Sequence, residues 1–131
     1  MVTKFDIFIE QGLFNHTGVD FVTYYDKRHK MFTARAANAR IGKHLIIAPY
    51  AEQINCPAMK RFWHSLDNES RAIAESFEGG PGFFQFMRDN GLIDFYDQAY
   101  AEAAEVFLSN WEAHNNLNIA WDCVKADWTI N

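Results

Sequence analysis

The stretch VDFVTYYDKRHKMFTARA, residues 19–36, decides the fold. Read with a period of two, Val19, Phe21, Thr23 and Tyr25 alternate, Lys27-Arg28-His29-Lys30 makes a turn, and the alternation resumes through Met31, Thr33 and Arg35. That is a β-hairpin. Read with a period of 3.6, Val22, Tyr25, His29, Phe32, Ala36 and Ala39 line one side of a helix instead. The β-branched and aromatic content of 19–26 favours strand, whereas Ala34 to Arg40 has the composition of a helix. The chain is therefore expected to be α+β, with a small N-terminal sheet and a helix-rich, acidic C-terminal half. All-α is the alternative, and it turns on residues 3–36.

Working outward, Val2 to Gln11 alternates Phe5, Ile7 and Ile9 against Asp6, Phe8 and Glu10, which favours a strand closed by Gly12. The same segment offers a helical stripe through Phe5, Phe8, Ile9 and Leu13. His44 to Pro49 reads as a short buried strand ending before proline. From Pro57 the pattern turns helical: Pro57 suits a first turn, and Met59, Phe62, Trp63 and Leu66 form one stripe. Asp67, three residues before Ser70, caps a second helix with Ile73, Ala74 and Phe77 inward. Glu78-Gly79-Gly80-Pro81-Gly82 breaks it, Phe83 to Asn90 forms a short aromatic helix, and Asn90-Gly91 stops that in turn.

Leu92 to Asn115 is the clearest element. At 100° per residue Ile93, Tyr96, Tyr100, Ala103, Phe107, Trp111 and His114 gather on one side. Asp94, Glu102, Glu105 and Glu112 gather opposite, with Asp97 at the edge, so a long amphipathic helix with an acidic outer face is expected. A short final element, Leu117 to Trp128, carries Trp121 and Trp128.

The 131 residues suit a single domain, 1–131, in which a basic, strand-leaning part (1–56) precedes an acidic helical part (57–131). With 49% hydrophobic and 16% aromatic residues, the chain has the apolar area to fold. Twelve Phe and four Trp are many for this length; core packing is the favoured role, with a surplus for a contact surface or a symmetric homodimer interface as the alternative. Cys56 and Cys123 are far apart and form no CxxC, and no basic segment followed by an apolar one opens the chain. The apolar run Leu45 to Tyr50 falls far short of the ~20 residues of a membrane span. A cytoplasmic protein without membrane attachment is expected, and the sequons at Asn15 and Asn68 read as chance matches.

Charge carries the functional signal. Residues 1–61 hold nine Lys/Arg against five Asp/Glu, and residues 62–131 hold three against twelve, so the halves are +4 and −9 and sum to the chain's −5. Such asymmetry points to an electrostatically chosen partner. Catalytic signatures are absent from the sequence. The histidines (His16, His29, His44, His64, His114) lack the i,i+3 or i,i+4 spacing that lets two ligands reach one metal ion, and no cofactor motif occurs. The glycines at 79–82 lack the lysine ending of a phosphate loop. An enzyme would need a site assembled from distant residues, such as His64, His114 and Cys123.

Two binding readings follow. In the first, the acidic face formed by Asp94, Asp97, Glu102, Glu105 and Glu112 meets a basic protein or ribonucleoprotein complex. Asp94 to Glu112 spans about 27 Å of helix at 1.5 Å per residue, and Asp89, Glu75 and Glu78 would raise the charge density if they share that surface. In the second, Lys27, Arg28, Lys30, Arg35, Arg40 and Lys43, with Tyr24 and Tyr25 beside them, contact nucleic acid directly. The first is favoured because the chain as a whole is acidic, with a pI near 5.4. In size, acidity, aromatic richness and lack of catalytic motifs the chain is similar to small phage-encoded inhibitors, among them anti-CRISPR and anti-restriction proteins. That resemblance implies a non-enzymatic inhibitor whose acidic helices occupy the DNA or RNA path of a nucleic-acid-handling complex.

Overall fold

The computed structural model describes residues 2–129. Among them are five α-helices and one four-stranded sheet, an α+β arrangement. The chain forms two compact units, one made of the residues up to Gln53 together with those from Glu105 on, the other of Ile54–Ala104.

In the first unit the hairpin forms as the alternation implies. Strands β1 (Phe21–Asp26) and β2 (Met31–Ala36) are antiparallel, with Tyr25 opposite Phe32 and Asp26 opposite Met31. The turn falls on Lys27, Arg28, His29 and Lys30. β3 (Leu45–Ile47) lies antiparallel on the other side of β1, and β4 (Ala126–Asp127) runs parallel to β2, giving the order β3-β1-β2-β4. The sheet is thus not purely N-terminal, because its last strand comes from the end of the chain. The helical composition of Ala34 to Arg40 is overridden by this pairing: the strand runs through Ala36 and a turn follows.

Residues 2–11 depart from the strand reading. They form helix α1 (Lys4–Gln11), started by a reciprocal cap in which Thr3 Oγ1 accepts from the Asp6 N–H and Asp6 Oδ2 accepts from the Thr3 N–H, both at 3.0 Å. Gly12 ends it at φ 64°, the left-handed conformation glycine adopts without strain. Two further N–H groups of the first turn, those of Lys4 and Phe5, donate to the Glu105 carboxylate at 3.3 and 3.1 Å. An anion there also complements the helix dipole. These tertiary partners decide between two apolar periods that the segment satisfies about equally.

Phe8, fully buried, is the centre of this unit. Its ring meets Phe14 at 4.9 Å, Phe32 at 5.6 Å, Trp121 at 5.8 Å and Trp111 at 6.0 Å between centroids. The core face of the sheet contributes Tyr25, Phe32 and Ala34. Asn15, 4% exposed, closes the other side. Its Nδ2 donates to the carbonyls of Thr23 and Ala48, and its Oδ1 accepts from the Thr23 N–H at 2.7 Å. A side chain so buried and so bonded is no glycosylation acceptor in the folded chain, in keeping with the chance-match reading of that sequon.

The second unit contains α2 (Asn55–Ser65), α3 (Asn68–Glu75), α4 (Phe83–Asp89) and the first part of α5 (Ile93–His114). Asp67 caps α3 as read from the sequence, its side chain accepting from the Ser70 N–H at 2.7 Å. Gly79, Gly80 and Gly82 all have positive φ, so the break at 79–82 uses the freedom only glycine has without strain. The core joins Phe62, Leu66, Ala74, Met87, Leu92, Tyr96 and Ala99, with Phe83 and Phe86 against it. Most of the apparent aromatic surplus is consumed inside the two units. Of the Phe and Trp residues, only Phe21, Phe84 and Trp128 are exposed.

Folding redistributes the charge. The first unit carries eight Lys/Arg against nine Asp/Glu, net −1, and the second four against eight, net −4. The +4/−9 contrast of the linear halves shrinks because α5 past Glu105 and the C-terminal segment join the basic part.

Candidate functional site

The acidic side of α5 is not uniformly free. Glu112 is half-buried, and three donors converge on its carboxylate: Lys4 Nζ on Oε1 at 2.9 Å, and the Ile119 N–H and Trp121 Nε1 on Oε2 at 2.9 and 3.0 Å. Burial pushes this carboxyl up, but the bonds from Lys4, Ile119 and Trp121 and the lysine charge outweigh it and hold the group below the usual glutamate value. Glu105 caps α1 as described. Both belong to the internal structure of the first unit. In the second unit Glu102 accepts from Gln98 Nε2 at 2.9 Å and lies 3.6 Å from Arg61. Asp94 and Asp97 are exposed and have no side-chain partner among the described residues. Of the five acids expected to form one face, two are structural, one is paired and two are free.

The basic segment fares differently. Lys27, Arg28 and Lys30 lie in the hairpin turn and are exposed. The Lys27 N–H donates to the His44 carbonyl, which brings Lys43 and His44 beside the turn. On the other side, the Phe32 N–H donates to the Lys125 carbonyl as β4 enters the sheet, so Lys125 arrives at the same end. Five exposed cations from three stretches of chain meet at one end of the sheet, and none makes an ion pair among the described residues. Arg35 lies further along β2, bonded to Thr33 Oγ1 and the Ala34 carbonyl, and Arg40 lies in the exposed connection to β3.

Asp26 fixes the turn from beneath. Its Oδ1 accepts from the N–H groups of Arg28 and His29, and its Oδ2 lies 2.8 Å from His29 Nδ1. Burial raises this carboxyl, and the bonds from His29 and Arg28 more than reverse that, leaving it below the usual aspartate value. With a side chain 7% exposed, Asp26 shapes the turn without screening the cations above it from solvent. Tyr25 is buried and Tyr24 half-buried, so Tyr25 offers no free ring face for base stacking.

Lys125 was not legible as part of this site, because a two-residue parallel strand has no periodicity to read. Tyr25 and Asn118 join it through a cavity described below. The three residues weighed as an assembled catalytic site lie in different depressions: His64 beside Lys60, Arg61, Ser65 and Glu102, His114 beside Trp111 and Tyr50, Cys123 beside Lys30 and Lys125. Among the described residues no group of three or more His, Cys, Asp or Glu is placed to hold a metal ion, and no helix is long and apolar enough to cross a membrane. No protein-family model, curated protein or solved structure matches the chain.

Proposed function

We propose that this chain is a non-enzymatic binding protein that holds a nucleic-acid strand on the basic end of its sheet. The observation that carries this reading is the meeting of Lys27, Arg28, Lys30, Lys43 and Lys125, all exposed and none neutralised by an ion pair among the described residues. Cations gathered at one end of a sheet match a polyanion, whose condensed counterions are released on binding. The chain's overall acidity stands against non-specific adsorption and leaves the contact to this one surface. Two exposed free thiols, Cys56 and Cys123, fit the reducing cytoplasm as the place of action. The test is oligonucleotide binding by fluorescence anisotropy. Replacing Lys27, Arg28 and Lys30 by alanine should weaken binding about equally for all sequences, and unchanged affinity would overturn the reading.

A second reading is favoured by one observation, the exposure of Asp94 and Asp97 without hydrogen-bond or ion-pair partners among the described residues, in a unit of net charge −4. In it these residues, with Glu102, meet a basic protein or ribonucleoprotein partner in the manner of the small phage-encoded inhibitors. Glu105 and Glu112 take no part, being engaged within the fold.

A further inference from the structure

A small cavity lies against the hairpin turn, lined by Tyr25, Lys30, Asn118, Cys123 and Lys125 together with the apolar Ile119, Ala120 and Val124. We propose that it takes one phosphoryl group, the terminal phosphate of a nucleic-acid strand held on the basic end of the sheet. This inference rests on the reading given above and adds to it a specificity for strand ends.

Size argues first. The cavity holds about 130 Å³, room for about four waters at roughly 30 Å³ each. That admits a phosphoryl group and is too small for a whole nucleoside. Chemistry argues second: two lysine ammoniums, a tyrosine hydroxyl and an asparagine amide can all donate, and no carboxylate lines the cavity. Two ammoniums balance a phosphate monoester, which carries about −1.5 to −2 at neutral pH.

The Tyr25 hydroxyl supplies an independent observation. Tyr25 is 6% exposed, yet its hydroxyl has no hydrogen-bond partner among the described residues. Among the described residues no fully buried side-chain nitrogen or oxygen is left unpaired, so this hydroxyl keeps some contact with open space, and Tyr25 lines the cavity. Burial, then the charges of Glu112 and Asp26, push its pKa up, so it stays a proton donor through the neutral range. Both carboxylates are engaged, Glu112 by Lys4, Ile119 and Trp121 and Asp26 by the turn, while the exposed Asp122 adjoins the cavity without lining it. Lys30 contributes from an unusual backbone, at φ 52°, which a lysine adopts only against steric cost.

The experiment compares a single-stranded oligonucleotide bearing a 5′-phosphate, a 3′-phosphate or hydroxyls at both ends. A terminal phosphate should tighten binding about tenfold, the scale of a charge-assisted hydrogen-bond set. Tyr25→Phe, and separately Asn118→Ala at an exposed position, should each cut that preference to about threefold or less. Equal affinity for all three strands would overturn the cavity proposal while leaving the basic surface standing. A second readout uses Cys56→Ser protein, in which Cys123 is the remaining thiol and lines the cavity. Inorganic phosphate should slow its alkylation by iodoacetamide several-fold. Protection by phosphate without any oligonucleotide binding would uphold the cavity and overturn the nucleic-acid reading; no protection and no terminal preference would overturn the cavity.

Discussion

The Lys4 ammonium lies 2.9 Å from the Glu112 carboxylate, across 108 residues of chain. That contact joins α1 to α5. The same carboxylate then catches the returning segment at Ile119 and Trp121, after Asn116 at φ 55° has turned the chain off the end of the helix. Removing the carboxylate leaves a half-buried ammonium and two donors without their acceptor. Glu112→Ala should cost about 3 kcal/mol of stability in urea denaturation. A loss below about 1 kcal/mol would show that the carboxylate is solvated.

This placement changes how the acidic reading is tested. Charge reversal at Glu105 or Glu112 acts on the fold, so lost partner binding in such variants says nothing of a contact surface. Asp94→Lys with Asp97→Lys is the informative pair, since both side chains are exposed and make no hydrogen bond or ion pair among the described residues. The pair should lower the stability measured in urea by no more than about 1–2 kcal/mol, the scale of reversing two charges near the start of α5, and leave oligonucleotide binding no weaker. A basic partner that binds this variant as well as the parent would dispose of the second reading.

Acid sensitivity follows from Glu112 and Asp26. Both are held below their ordinary values, 4.5 and 3.8, so the folded state binds fewer protons than the unfolded chain. Their stabilisation is complete above those ordinary values and is lost as pH falls through the lower folded values. Stability should therefore drop steeply below about pH 4.5, and Glu112→Gln should flatten that drop. Parallel pH profiles for the two proteins would contradict the assignment.

Asn15 makes a prediction of its own. Its side chain serves the Thr23 N–H and the carbonyls of Thr23 and Ala48, all buried. Asn15→Ala strands these groups and should cost about 2–4 kcal/mol. A surface-like effect under 0.5 kcal/mol would mean that water replaces the amide.

Lys30 links stability to binding. Glycine at its left-handed position relieves a cost of about 1–2 kcal/mol, partly offset by the extra freedom of the unfolded chain. Lys30→Gly should raise stability by about 0.5–1 kcal/mol and weaken oligonucleotide binding. A variant that gains stability and keeps its affinity would remove Lys30 from the contact surface.

What could be read from the sequence divides along physical lines. The hairpin 19–36, its basic turn, the short strand before Pro49, the Asp67 cap and the glycine break are local signals, and each is found in place. Residues 4–11 satisfy two periods, and their helix is settled by a carboxylate 100 residues away. The α5 pattern correctly gave a long helix but could not show that Glu105 and Glu112 face α1 and the C-terminal return. Polar residues opposite an apolar stripe look solvated until a second element covers them. Lys125 reaches the basic end through two residues of parallel pairing, which no window of sequence contains.

The most direct test of the central claim is the salt dependence of oligonucleotide binding. Five lysine and arginine contacts to a single strand predict a slope of about −3.5 in log K against log salt concentration, and removing Lys27, Arg28 and Lys30 should reduce its magnitude by about 2. A slope near zero, or one that the triple variant leaves unchanged, would contradict the assignment of the basic sheet end as the binding surface.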